Sequence, residues 1–175
     1  MRSARIFLLL LVVDGFAQVP TMKTYVNDSV GFELVYPATY RVADLPCSLA
    51  RWAAHRGAQS LLYVSIGAEP QAGSIHIALD MHKFSMTTLQ AYAHTGWEGP
   101  EKIQAGENTF YYSGVGGGGV QYPDDYFYDL NGHILIISFV GPYPPNENTP
   151  SGRTKAMERK VLESFQLRQN AGRKQ

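Results

Sequence analysis

Two groups of residues in this 175-residue chain have types and spacing that could do chemistry. The first is SIHIALDMHKF, residues 74–84, where alternation puts His76, Ala78, Asp80 and His82 on one face of a strand. Two imidazoles and a carboxylate suit a metal ion by residue type. Spacing opposes a shared ion, because His76 and His82 stand about 20 Å apart on a straight strand at about 3.3 Å per residue. Asp80 and His82 could act together, with His94 or Glu98 brought from elsewhere in the chain. The competing expectation is the solvated polar face of a half-buried strand, and no metal site is assigned.

The second group is SGVGGGGVQYPDDYFYDLNG, with five glycines between Gly114 and Gly119. Gly114, Gly116 and Gly119 match GxGxxG. The dinucleotide mechanism needs a helix to open at the third glycine, so that its N-terminal amides hold the pyrophosphate. Val120, Gln121, Tyr122 and Pro123 follow instead, and the Lys and Ser/Thr of a phosphate loop are missing. The glycines are expected to turn the chain between two strands, with no cofactor. Asp124, Asp125 and Asp129 lack the alternating spacing of a calcium loop and are expected to flank an edge strand as charges that discourage aggregation.

Cys47 is the only cysteine. Beside a helix start its pKa would fall, which makes a thiol nucleophile conceivable. A buried, inert thiol is the preferred reading. Ser65, Ser113 and Ser138 lack the G-x-S-x-G elbow of serine hydrolases. An alternative function as a small hydrolase or metal-dependent enzyme therefore rests on Asp80, His82 and Cys47 converging.

The elements that must position these residues follow from periodicity. The N-terminus places Arg2 and Arg5 before an apolar run from Ile6 to Val13, with small residues at Gly15 and Ala17. That is the layout of a secretory signal peptide, with cleavage expected after Ala17. Residues 18–175 are then one exported domain, periplasmic or extracellular, without an integral membrane anchor, because the run is far short of the roughly 20 residues that span a bilayer. The signal carries two Arg and one Asp, leaving 13 basic and 14 acidic residues. This balance gives no pull toward nucleic acid.

GFELVYP, residues 31–37, alternates Phe32, Leu34 and Tyr36 with Glu33 and Val35, and Pro37 ends the strand. Leu49, Trp52 and Ala53 predict a short helix that Gly57 stops, with Ser48 as a possible cap. Residues 60–68 and 74–84 predict an antiparallel hairpin. Leu89, Tyr92 and Ala93 predict a helix capped by Ser85 or Thr87 and stopped by Gly96. Asn108–Ser113 predicts a strand, and Asn131-Gly132 predicts a two-residue hairpin turn at positive φ. Ile134–Val140 is apolar on both faces save Ser138, which places it mid-sheet. A final helix, capped near Thr149 with Pro150 in its first turn, turns Met157, Val161, Leu162 and Phe165 inward. Local pairing with few helices predicts an α+β fold, an antiparallel sheet with helices packed against it.

Tyr111, Tyr112, Tyr122, Tyr126, Phe127, Tyr128 and Tyr143 make the second half aromatic. Those turned outward, together with the glycine and GPYPP loops, could form an amphipathic binding patch. Tyr122, Tyr126, Tyr128 and Tyr143 with Gly116, Gly117 and Gly118 are the candidate surface for another exported or envelope protein.

The start YVNDSVGFELVYPATYRV, through Tyr25, Asn27, Gly31, Phe32, Tyr36, Pro37 and Tyr40, resembles the opening of PsbP-like domains. The ending, DLNGHILIISFVG and then a helix through KVLESFQL (Lys160 to Leu167), is also similar to that group. The resemblance implies an α/β/α sandwich around an antiparallel sheet, in exported bacterial or plastid proteins that assist protein assemblies and have no catalytic residues. It places no metal-binding residue in this chain.

Overall fold

The computed structural model describes residues 21–65, 73–80, 82, 83, 85, 88–90, 101–113, 124–140 and 152–168. Strands β1 (Met22–Asn27) and β2 (Phe32–Pro37) form a hairpin. Its turn is fixed by Asn27, whose Oδ1 accepts from the Val30 N–H at 2.9 Å, and by Gly31 at φ 84°. After the short β3 (Arg41–Val42), helix α1 (Cys47–Arg56) starts behind Pro46 without a side-chain cap and stops at Gly57 in the left-handed region. Then come β4 (Ala58–Ser65), β5 (Ser74–Asp80), β6 (Glu101–Ala105), β7 (Asn108–Ser113), β8 (Asp124–Leu130), β9 (His133–Val140), helix α2 (Gly152–Glu163) and β10 (Gln166–Leu167).

Seven strands form one sheet in the order β3-β4-β5-β9-β8-β7-β6, and every pairing in it is antiparallel. The β8–β9 turn has Asn131 at φ 55° and Gly132 at φ 83°, as an Asn-Gly loop requires, and Asp129 Oδ1 accepts from the Gly132 N–H at 2.8 Å. The fold is α+β, as expected. A second sheet, β1-β2-β10, was not expected from the sequence, nor was β6, a five-residue edge strand with only Ile103 and Ala105 turned inward. The last helix ends at Glu163 instead of continuing to Leu167. The cap proposed near Thr149 lies outside the described residues.

Both faces of the seven-stranded sheet are covered. On one lie the small sheet and α2: Phe32, Leu34 and Tyr36 with Val161, Leu162 and Phe165 pack on Val64, Ile75, Ile77, Phe110, Leu135, Ile137 and Phe139. Phe165 joins the layers, with ring centroids 5.6 Å from Phe32, 5.8 Å from Phe110 and 4.8 Å from Tyr128. The Phe165 carbonyl also accepts from Asn108 Nδ2 at 2.8 Å. On the other face Ala78, Leu89, Tyr111, Phe127, Ile134 and Ile136 form a second cluster, against which Trp52 of α1 packs. Leu89 sits in helical residues 88–90, capped by Ser85, whose Oγ accepts from the Thr88 N–H at 3.2 Å.

Phe165→Ala should lower unfolding free energy by about 3–5 kcal/mol, the usual loss for a buried Phe truncated to Ala. Urea titration measures it, and a loss under about 1 kcal/mol would mean that Phe165 does not bind the layers together.

Candidate functional site

Three long connections of the seven-stranded sheet leave from one end. The register pairs Ser65 with Ser74, Ser74 with Val140, Asp124 with Phe139 and Ser113 with Asp125. The segments 66–72, 114–123 and 141–151 therefore all attach to strand ends that lie side by side. Gly116, Gly117, Gly118, Tyr122 and Tyr143 belong to these segments and lie outside the described residues.

Tyr126 and Tyr128 do not face outward. Their positions alternate with Phe127 toward the α2 face, so they fill the core. Tyr126 is buried against Phe139, with centroids 5.6 Å apart, and its hydroxyl donates to Glu158 Oε2 at 3.0 Å. Burial raises the Tyr126 pKa well above the usual phenol value, and the Glu158 charge adds to this, so the hydroxyl stays a donor. Tyr128 is half-buried between Phe110 and Phe165. Glu158 was missed in the sequence, although its spacing with Met157, Val161, Leu162 and Phe165 places it on the apolar stripe of the last helix.

The polar face of β5 is not solvated. His76 and Asp80 are each 1% exposed, because β5 lies inside the sheet and α1 crosses that face. Trp52 meets the His76 ring edge-on at 5.8 Å, and Tyr63 does so at 6.4 Å. His76 Nε2 is 3.0 Å from Ser60 Oγ. Burial lowers the His76 pKa from 6.5 to about 4, so the ring is neutral at physiological pH.

The acidic residues of β8 correct a second expectation, since β8 is paired on both sides and is not an edge. Asp124 faces α2 and accepts from the Tyr112 hydroxyl at 2.5 Å. Asp125 points to the α1 face. Burial raises its pKa from 3.8 to about 6, opposed by a hydrogen bond from Ser138 and by the Arg56 charge. Arg56 lies 4.9 Å from the Trp52 ring centroid. His76, Ser138 and Asp125 are direct partners across β5, β9 and β8, so Trp52 and Arg56 roof a row of polar side chains.

Asp80 and His82 do meet. Asp80 Oδ1 is 2.9 Å from His82 Nδ1 and accepts from the His82 N–H at 2.9 Å, which folds the chain back at the end of β5. The His82 ring rests on Gly57, where a Cβ would stand 2.6 Å from its Cε1. Cys47 is at the opposite end of α1, about 15 Å away at about 1.5 Å per residue. It is exposed, correcting the expectation of a buried thiol, because α1 turns Leu49, Trp52, Ala53 and Arg56 toward the sheet. The three residues of the enzymatic alternative are thus separated into a structural pair and a distant surface thiol. His94 and Glu98 lie outside the described residues. Among the described residues no group of three His, Cys, Asp or Glu side chains could hold a metal ion, and no helix is long and apolar enough to cross a membrane.

His76 and Asp125 act on stability with opposite sign. His76 has a depressed folded pKa, so its contribution is full above pH 6.5 and is lost as pH falls toward 4, by up to about 3 kcal/mol. Asp125 has a raised folded pKa, so the native state loses stability as pH rises from 3.8 through 6. Asp125→Asn should therefore stabilise the protein by about 1–3 kcal/mol at pH 7 and not at pH 4. His76→Asn should flatten the fall in stability below pH 6.5. Guanidinium unfolding at four pH values checks both, and equal effects at pH 4 and 7 would rule out the assigned burial.

No protein-family model and no curated protein matches the sequence. Among solved structures, the chain is similar to the solution structure of cyanobacterial PsbP (CyanoP) from Synechocystis sp. PCC 6803. The match covers 90% of this chain and 98% of that one, with a TM-score of 0.54 and 11% identity. The resemblance read from the two ends of the sequence thus extends over nearly the whole chain, and the fold is of the PsbP type.

Proposed function

We propose that this protein is an exported, non-catalytic binding module that docks another exported or envelope protein through the loop end of its seven-stranded sheet. One observation carries the reading: Asp80 and His82 are held as a pair at the end of β5 while Cys47 is exposed at the other end of α1, so the candidate reaction centre is not assembled. Asp80 is engaged by His82, Tyr112 by Asp124 and Tyr126 by Glu158. The PsbP-type fold supports the same reading, since the resemblance implies proteins that assist assemblies. Three long connections leave side by side from the sheet, and rigid strands presenting neighbouring loops are a common way to build a recognition surface.

The test is a pull-down from the native exported fraction at low salt, using the chain without residues 1–17. Wild type should retain a partner, and the variant with Gly116–Gly119 replaced by Asn-Gly should lose it while its melting temperature is unchanged. The Cys47→Ser, His82→Ala double variant should retain it. Failure of wild type to retain any partner, or retention by the loop variant, would contradict the proposal.

A further inference from the structure

The Asn131-Gly132 turn joins β8 and β9, two strands paired on both sides, at the end of the sheet away from the long connections. Asn131 is exposed, and the two turn residues stand at φ 55° and 83°. An asparagine followed by glycine is the pair most open to attack by its own backbone. With no side chain in the way, the glycine nitrogen can approach the asparagine Cγ and close a succinimide ring. In that step the bond from Gly132 N to Asn131 Cγ forms and the Cγ–Nδ2 bond breaks. The proton of the Gly132 amide departs with Nδ2 as ammonia. Water then opens the imide at one carbonyl to give aspartate, or at the other to give isoaspartate, whose main chain runs through Cβ.

The second product does not fit this hairpin. A two-residue loop fixes the register of its strands, and one extra main-chain atom in it spoils that fit. The register at stake runs from Leu130 opposite His133 to Asp124 opposite Phe139, through the middle of the sheet.

The fold withholds the nucleophile. The Gly132 N–H donates to Asp129 Oδ1 at 2.8 Å. To attack, the nitrogen must shed the proton that this carboxylate holds in place, and a hydrogen bond to a charged acceptor is among the stronger ones. The attack also needs rotation about the Asn131 Cα–C bond, which breaks the contact with Asp129 and strains the neighbouring pair of Leu130 and His133.

We propose that Asn131 is a deamidation site that Asp129 keeps closed, so that the chain is modified at this turn only when the hairpin end opens and the Gly132 N–H leaves the Asp129 carboxylate. The site lies at the opposite end of the sheet from the protein-docking surface and stands or falls separately from it.

The experiment incubates the full chain at pH 8 and follows the peptide holding Asn131 by mass spectrometry, with enzymatic methylation to count isoaspartate. Folded wild type should convert at least about tenfold more slowly than the same chain in urea, and Asp129→Ala should convert about tenfold faster than wild type under native conditions. Asp129→Asn, which keeps a neutral acceptor, should fall between them. Ile75→Val, a mild core change at the far end of the sheet, should leave the rate unchanged, because the opening is local. Equal rates for wild type with and without urea would overturn the proposal. So would an acceleration by Ile75→Val as large as that of Asp129→Ala, which would make global unfolding the route. If Asp129→Ala does not melt cooperatively, Asp129→Asn decides, and a wild-type rate in that folded variant would overturn the proposal.

Discussion

The structure depends on one constraint: the central strands β5 and β9 are enclosed on both faces. A strand with one wet face can carry any polar residue there, whereas a strand covered twice must find a partner for each polar atom. β5 is buried along its whole length. Its three polar side chains are therefore structural commitments. Ser60 meets His76, the turn after β5 meets Asp80, and Ser74 lies at the strand end beside the loop connections. The same constraint acts on β8, where adjacent aspartates point to opposite faces and each needs its own surroundings.

Covering both faces takes every element. The small sheet and α2 close one side and interlock through Phe165. Further ties hold this layer: the Tyr25 hydroxyl donates to the Leu61 carbonyl at 3.1 Å, and Ser164 Oγ accepts from the Val35 N–H at 2.8 Å. On the second side α1 is short and has no side-chain N-cap, so its hold comes from packing and from Trp52 and Arg56 lying over the polar row. Both faces of the seven-stranded sheet are thereby occupied by the protein's own elements.

Much of the fold was legible because it is encoded locally. Gly57 and Asn131-Gly132 announce backbone conformations that few other residues tolerate, and both do what their types require. The alternation of Phe32, Leu34 and Tyr36 gives the inward face of β2 directly. What was illegible depends on distant chain. Whether His76 and Asp80 face water is decided by α1, and nothing in residues 74–84 reports that. Whether Asp124 and Asp125 flank an edge is decided by β9 and β7 pairing on either side. Tyr126 and Tyr128 read equally well as surface aromatics or core until the face is known. Glu158 is different, since helical spacing alone sets it among the core positions of the last helix. The candidate surface at Gly116–Gly118, Tyr122 and Tyr143 is visible in the sequence only as composition.

The enclosure of the central strands is tested most directly by native-state hydrogen exchange. Amides of Ile75–Leu79 and Leu135–Phe139 should be the slowest in the protein and exchange only through global unfolding, while Arg41–Val42 and Glu101–Ala105 at the sheet edges exchange faster through local opening. If the β5 amides exchanged as readily as those of the edge strands, one face of β5 would be open, and the account of its buried histidine and aspartate would fail.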